Sequence, residues 1–375
     1  MASMTRRERL TAIFHGRTPD RSAVKVWGVS TRHDPCVHPR YAAVRDRALE
    51  LTDLVRHATA PFNLYFGAAA ARCTETRIEP TSDPAWELHV TTYHTPAGDL
   101  RQVFRASTRQ RPGYVTEHAL KEPADIRRLL SVPYEPFPFD AQEYLRADAE
   151  TGDAGIAIFT LDHAMYGLQR LIGSENFALW SADGEPLLLA AMQVFAERLR
   201  RHVQEAIAAG IRGIFGWVGP ELCIPPLMSP QDFERYVFAL DAPLVDLIRS
   251  AGGRVWVHAH GRMGPVLRRF AAMGVDVLNP VEPPPMGDVS LAEAFASVGD
   301  RMGLEGNIET HDLMTATPEE LRGKIHAALD AGRGRRFILC PSSGYMENVE
   351  PSPAQIRNWL LYIEEGVRYA NSLAA

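Results

Sequence analysis

Eight short apolar runs, most of them followed by a stretch of helical periodicity, limit most sharply what this chain can fold into. Residues 156–159, 213–218, 254–260, 275–278, 302–305 and 336–340 are strand-like, and the segments between them place apolar residues three and four apart. Two earlier runs, 23–27 and 63–66, bring the strands to eight. Strand and helix in alternation predict a (β/α)8 TIM barrel. A doubly wound sheet is the alternative, but no Gly-x-Gly-x-x-Gly follows a strand. Helices are expected over 5–14, 42–57, 123–149 with a Pro-rich break, 164–182, 185–209, 230–251, 263–273, 290–298, 317–331 and 353–372. Thr- and Val-rich alternation across residues 72–118, around the turn Pro96–Asp99, predicts an antiparallel β insertion. No linker interrupts the pattern, so residues 1–375 are expected to form one domain.

Composition narrows the function classes. The 375 residues are 46% hydrophobic and 23% charged with a net charge of −6, which suits a globular domain and argues against a nucleic-acid partner. No apolar run is long enough to cross a membrane, and the charged first ten residues lack a signal-peptide core. Cys36, Cys73, Cys223 and Cys340 are scattered without a Cys-x-x-Cys, as in a reduced, cytoplasmic protein.

In a barrel of this kind the chemistry collects where strands end. His258 and His260 lie two apart at the end of an apolar strand, so both face the same way. They read either as hydrogen-bonded core residues or as half of a metal site. Other strand ends supply Asp162, His163 and Tyr166, then Trp217 and Glu221, then Asn279 and Glu282. The last two supply Glu305, Asn307, Glu309 and His311, then Cys340, Ser342 and Ser343. His258, His260 and Cys340 offer two nitrogens and a sulfur, a set suited to zinc, with Glu221, water or substrate in the fourth position.

Met4–Leu10 with Pro19–Arg21, the stretch Gly303–Ile308, Ala316–Glu320 and Pro351–Pro353 resemble the uroporphyrinogen decarboxylase superfamily along almost the whole chain. That resemblance implies a (β/α)8 barrel. The decarboxylases proper carry an arginine-rich Arg-Gln-Ala-Gly-Arg type segment after the first strand. Here the strand continues Trp27–Arg32 without it. The chain looks closer to the branch of zinc-dependent methyltransferases and O-demethylases, which carry His-x-Cys after the fifth strand and Cys after the eighth. His258-Ala-His260 and Cys340 match those places, with histidine for the middle cysteine. The resemblance implies a zinc ion acting as a Lewis acid and a small methyl ether or thiol as methyl donor or acceptor. It also implies a corrinoid (cobalamin) cofactor. Asp162–Gly167 does not match the family's corrinoid motif, so the corrinoid is expected on a partner protein. Glu221, His163 and Tyr166 are the expected catalytic residues, and Trp217, Asn279 and Asn307 are expected to face substrate and cofactor. The apolar loop residues 225–228 and the prolines at 283–285 are placed to rim the mouth. A homodimer is compatible with the sequence. A metal-free decarboxylase or lyase, using Arg32 and Arg262 to hold a small carboxylated substrate, is the competing reading, and a ligand-binding barrel without catalysis is a third.

Overall fold

The computed structural model describes residues 3–31, 38–109, 112–344 and 350–374. Among these residues twelve strands form two sheets. Those before residue 120 are β1 (Ala23–Val24), β2 (Leu54–Ala58), β3 (Thr74–Pro80), β4 (Trp86–Tyr93), β5 (Leu100–Ser107) and β6 (Tyr114–Glu117). The others are β7 (Gly155–Thr160), β8 (Ile214–Val218), β9 (Arg254–His258), β10 (Val277–Asn279), β11 (Gly303–Ile308) and β12 (Phe337–Pro341). Eight of them run parallel in the order β1-β12-β11-β10-β9-β8-β7-β2, with helices between, which is the circuit of a (β/α)8 barrel. At the β1/β2 seam the backbone N–H of Asp53 donates to the Val24 carbonyl (2.8 Å), and the Asp53 carboxylate accepts from Val24 N–H (2.9 Å). A carboxylate thus does there what a ladder does elsewhere. Arg9 holds the other Asp53 oxygen at 2.6 Å, tying the opening helix to the seam.

That helix, Arg6–Phe14, starts at a Thr5/Glu8 capping box and closes the bottom of the barrel. Leu10, Ile13 and Phe14 pack there against inward residues of the strands, among them Ile156, Ile158, Ile214, Trp256, Val277 and Ile338. A second, larger apolar layer lies between the strands and the surrounding helices. No helix of the described residues is long and apolar enough to cross a membrane.

Seven of the eight expected barrel strands are present, with ends shifted by a few residues. The second is not at 63–66 but at Leu54–Ala58, inside the expected helix 42–57. The helix stops at Leu51 because Thr52 turns extended and its hydroxyl donates back to the Ala48 carbonyl, while Asp53 is claimed by the seam. Residues 63–66 form a turn in which the Asn63 side chain accepts from the backbone N–H groups of Tyr65 and Phe66. The expected helix 164–182 is two helices, broken at Gly173 (φ 86°). The insertion is a separate antiparallel sheet, β3-β4-β5-β6, within the expected residues. Arg32 and Cys36 lie outside the described residues.

Candidate active site at the barrel mouth

Side chains alternate along a strand, so the register decides which residues face inward. Trp256 belongs to the barrel interior, and His258, two residues on, follows it at the mouth. Its Nδ1 lies 2.6 Å from Asn279 Oδ1, on the neighbouring strand and in register with it. His260, just past the strand end, has Nδ1 2.8 Å from Glu282 Oε1, and Glu282 Oε2 accepts from Gly261 N–H. The two rings stand edge to face with centroids 4.5 Å apart. With each Nδ1 committed to an oxygen, each imidazole has Nε2 left as its lone-pair nitrogen. This is the arrangement in which outer oxygens orient metal-binding histidines.

The two imidazoles differ electrostatically. Burial, with His260 next in effect, pushes His258 down to about 3, so it is neutral at ordinary pH. His260 is raised although burial opposes it, because Glu282 accepts its hydrogen bond and the Glu282, Glu221 and Glu309 carboxylates surround it. The same contact holds Glu282 below the usual carboxylate range against the effect of burial. Burial raises Glu221, whose Oε2 accepts from Gly219 N–H at 3.0 Å. Glu309 goes furthest: burial first and the Glu282 charge second push it up to about 7. One of its oxygens lies 3.2 Å from the Ser342 hydroxyl, and the other is buried with no hydrogen-bond partner among the described residues. A carboxylic acid poised near neutrality beside the His260 imidazole is suited to deliver a proton.

Beneath the histidines lies a buried ion pair. Lys25 Nζ is 2.7 Å from Glu305 Oε1, and both side chains are almost fully enclosed. The other Glu305 oxygen accepts from Trp256 Nε1 at 3.0 Å, and Lys25 also sits over the Trp27 ring at 4.2 Å. Cys340 is fully buried at this level, and burial followed by the Glu305 charge pushes its thiol well up. Asn307 pairs with Cys340 in register and is half-buried.

His258, His260, Asn279 and Glu221 therefore gather at the mouth, with Asn307 and Cys340 on the adjoining strands. Among the described residues no three His, Cys, Asp or Glu side chains stand together as a ready metal cage. His163 has both nitrogens engaged: Nε2 lies 2.9 Å from a buried Asp241 oxygen, and Nδ1 accepts from Tyr166 N–H to cap the helix Ala164–Ile172. Tyr166 packs against Gly219 (φ 120°), where any side chain would collide with it. Trp217 faces away from the mouth. A side chain on Gly216 would meet Ile158 and Trp256 inside the barrel, so its neighbour Trp217 points outward, where it is buried in the helix layer.

His57 was not singled out in the sequence because it lies on the misplaced second strand. It stacks on Trp27 (centroids 5.8 Å, 11° between planes) and touches Trp256 edge-on. Open to the mouth on one side and enclosed on the others, it is pushed down to about 3 by burial, then by Lys25 and His258. Lys25 could not have been found by pattern, since a lone lysine in a strand reads as solvent-facing. Glu282 and Glu309 stood among the strand-end residues, but nothing local separates them from ordinary loop carboxylates.

Comparisons with known proteins bear on the family and the fold. The family model described as Uroporphyrinogen decarboxylase (URO-D) matches residues 108–357. A uroporphyrinogen decarboxylase of Prochlorococcus marinus is 26% identical over 191 residues, 49% of this chain and 50% of that protein. The chain spans about half the length of the first curated relatives it matches. The enzyme of the same name from Carboxydothermus hydrogenoformans is 27% identical over 280 residues, 70% of this chain and 72% of that one. Among solved structures, a methyltransferase from Methanosarcina mazei aligns over 100% of both chains with a TM-score of 0.58 at 16% identity, a likeness of fold.

Proposed function

The chain belongs to the uroporphyrinogen decarboxylase family, and from that premise we propose that its barrel mouth catalyses methyl transfer between a small methyl ether or thiol and a corrinoid carried by a partner protein. The observation that carries the reading is the imidazole pair His258–His260, each ring fixed through Nδ1 by an oxygen of the next strand end. Two such nitrogens with the nearby Glu221 carboxylate suit a zinc ion, although the cage is not assembled in advance. His258 and His260 would hold the zinc through Nε2, with Glu221 adding an oxygen. Cys340, fully buried beside Glu305 and Asn279, would add a sulfur, its proton leaving as the metal binds. Bound there, zinc would supply Lewis acidity to the oxygen or sulfur that bears the methyl group.

The chain's own residues do the rest. Asn279 and Glu282 keep the two rings oriented. Glu309, protonated below about pH 7, gives its proton to the departing oxygen of an ether, or takes the proton of a thiol in the reverse sense. Lys25, Glu305 and Trp256 fix the floor on which the imidazoles stand. A planar corrinoid needs an apolar rim, and the loops after β8 and β10 present Leu227 and Met286, 49% and 60% exposed. Trp217 takes no part in that rim, since it faces the helices.

The curated relatives' name favours decarboxylation as a second reading, with Arg262, exposed just beyond His260, as its anchor for a carboxylate. Incubation with methoxylated or methylated-thiol compounds, with and without a corrinoid protein, separates the two. Methyl transfer gives a change in the corrinoid's visible spectrum that depends on substrate. Demethylation at full rate without corrinoid, or release of carbon dioxide from a carboxylated substrate, would end the proposal.

A further inference from the structure

The antiparallel sheet presents an unusual face to the barrel. An insertion packed on a domain normally turns its apolar side inward. Here the register places Thr76, His89, Thr91, Tyr93, Gln102 and Phe104 on one face, because Thr76 pairs with Thr91, Thr91 with Gln102 and His89 with Phe104. That face does not close onto the helix Ala164–Ile172. It borders a half-open cavity of about 730 Å³, whose far wall includes Tyr65, Gln169, Arg170 and Leu222. The volume lies within the range of small-molecule sites.

We propose that this cavity binds a planar aromatic carboxylate. Arg170 stands on its wall with no carboxylate in ion-pair range among the described residues, its guanidinium 5.5 Å from the Tyr166 ring centroid. Tyr65, Tyr93, Phe104 and Tyr114 supply ring faces, which suit a flat apolar body. The Tyr93 hydroxyl donates to Gln102, and the Thr76 and Thr91 hydroxyls lie 2.9 Å apart, so polar groups line the wall that a ring substituent would touch. The Asp162 carboxylate acts on Arg170 through space but forms no ion pair with it, so the guanidinium keeps room for a ligand carboxylate. An arginine that lacks a carboxylate, opposite a polar aromatic wall, fits an aromatic acid better than a neutral or cationic guest. Leu222 belongs to the loop that carries Glu221, so a bound ligand borders the mouth without occupying it.

The test is calorimetric titration of the full chain with benzoate, with benzyl alcohol as the neutral comparison. It needs no metal and no corrinoid, so its outcome is independent of the methyl-transfer reading. Benzoate is expected to bind, and Arg170→Gln to weaken it about tenfold or more while benzyl alcohol is unaffected. Thr91→Trp, which fills the cavity from the sheet side, is expected to abolish benzoate binding, with circular dichroism confirming that both variants fold. No benzoate binding at millimolar concentration would overturn the proposal. So would equal affinity in Arg170→Gln, or unchanged affinity in Thr91→Trp, which would place benzoate elsewhere.

Discussion

The two ends of the barrel interior are built by the same strands and differ only by a step of two residues. At the bottom the strands turn in Val55, Trp256, Val277 and Ile338 around the plug of Leu10, Ile13 and Phe14. One inward position higher they turn in His57, His258, Asn279 and Cys340. A step of two residues is about 7 Å along a strand. Within that distance the lining passes from hydrocarbon, which supplies stability, to imidazole and amide, which supply chemistry. Lys25 and Glu305 lie at the boundary, where both ions are already out of water but can still pair.

Breaking that boundary is expected to have the largest effect. Lys25→Met leaves Glu305 as an uncompensated buried charge, and about 3–5 kcal/mol of stability should be lost, read from denaturant melts. The double change Lys25→Met, Glu305→Gln should recover most of it, because the charge leaves with its partner. A single variant as stable as the wild type would show that the interior is wetter at this level than the structure describes.

Next in size is a change confined to the mouth. Glu309 has a raised value in the fold, so its protonated form is favoured there and is lost as pH rises through about 7. Turnover that uses this proton should fall across the same range, and Glu309→Gln should lower kcat about 100-fold and abolish that limb of the pH profile. Stability should be unchanged at acid pH and somewhat higher than wild type above about pH 7, where the charged Glu309 disfavours the fold.

At the bottom, Ile338→Val removes one methylene and should cost about 1 kcal/mol. Metal content and turnover should be those of the wild type. A loss of activity there would mean that the two ends are mechanically coupled.

Much of this division was legible in the sequence. The barrel strands announced themselves as apolar runs, and His258 and His260 stood out because two imidazoles at one strand end are costly without a purpose. The second strand did not, since Arg56 and His57 give β2 the polar content of a helix end, and its anchor is the tertiary contact of Asp53 with Val24 and Arg9. His57 was missed with it. Trp217 was assigned to the mouth from its place at a strand end, but an odd position beside inward Gly216 sends it to the helices. Such parity is fixed by packing across the barrel and is invisible along the chain. Lys25 and Glu305 are 280 residues apart, and no local pattern relates them.

The most direct test of the methyltransferase account is elemental analysis of protein purified without added metal. The account predicts close to one zinc per chain in the wild type, its loss in His258→Ala and His260→Ala, and weaker retention in Cys340→Ala, which removes a sulfur beside Asn279 and Glu305. Metal-free wild-type protein with full methyl-transfer activity would contradict it.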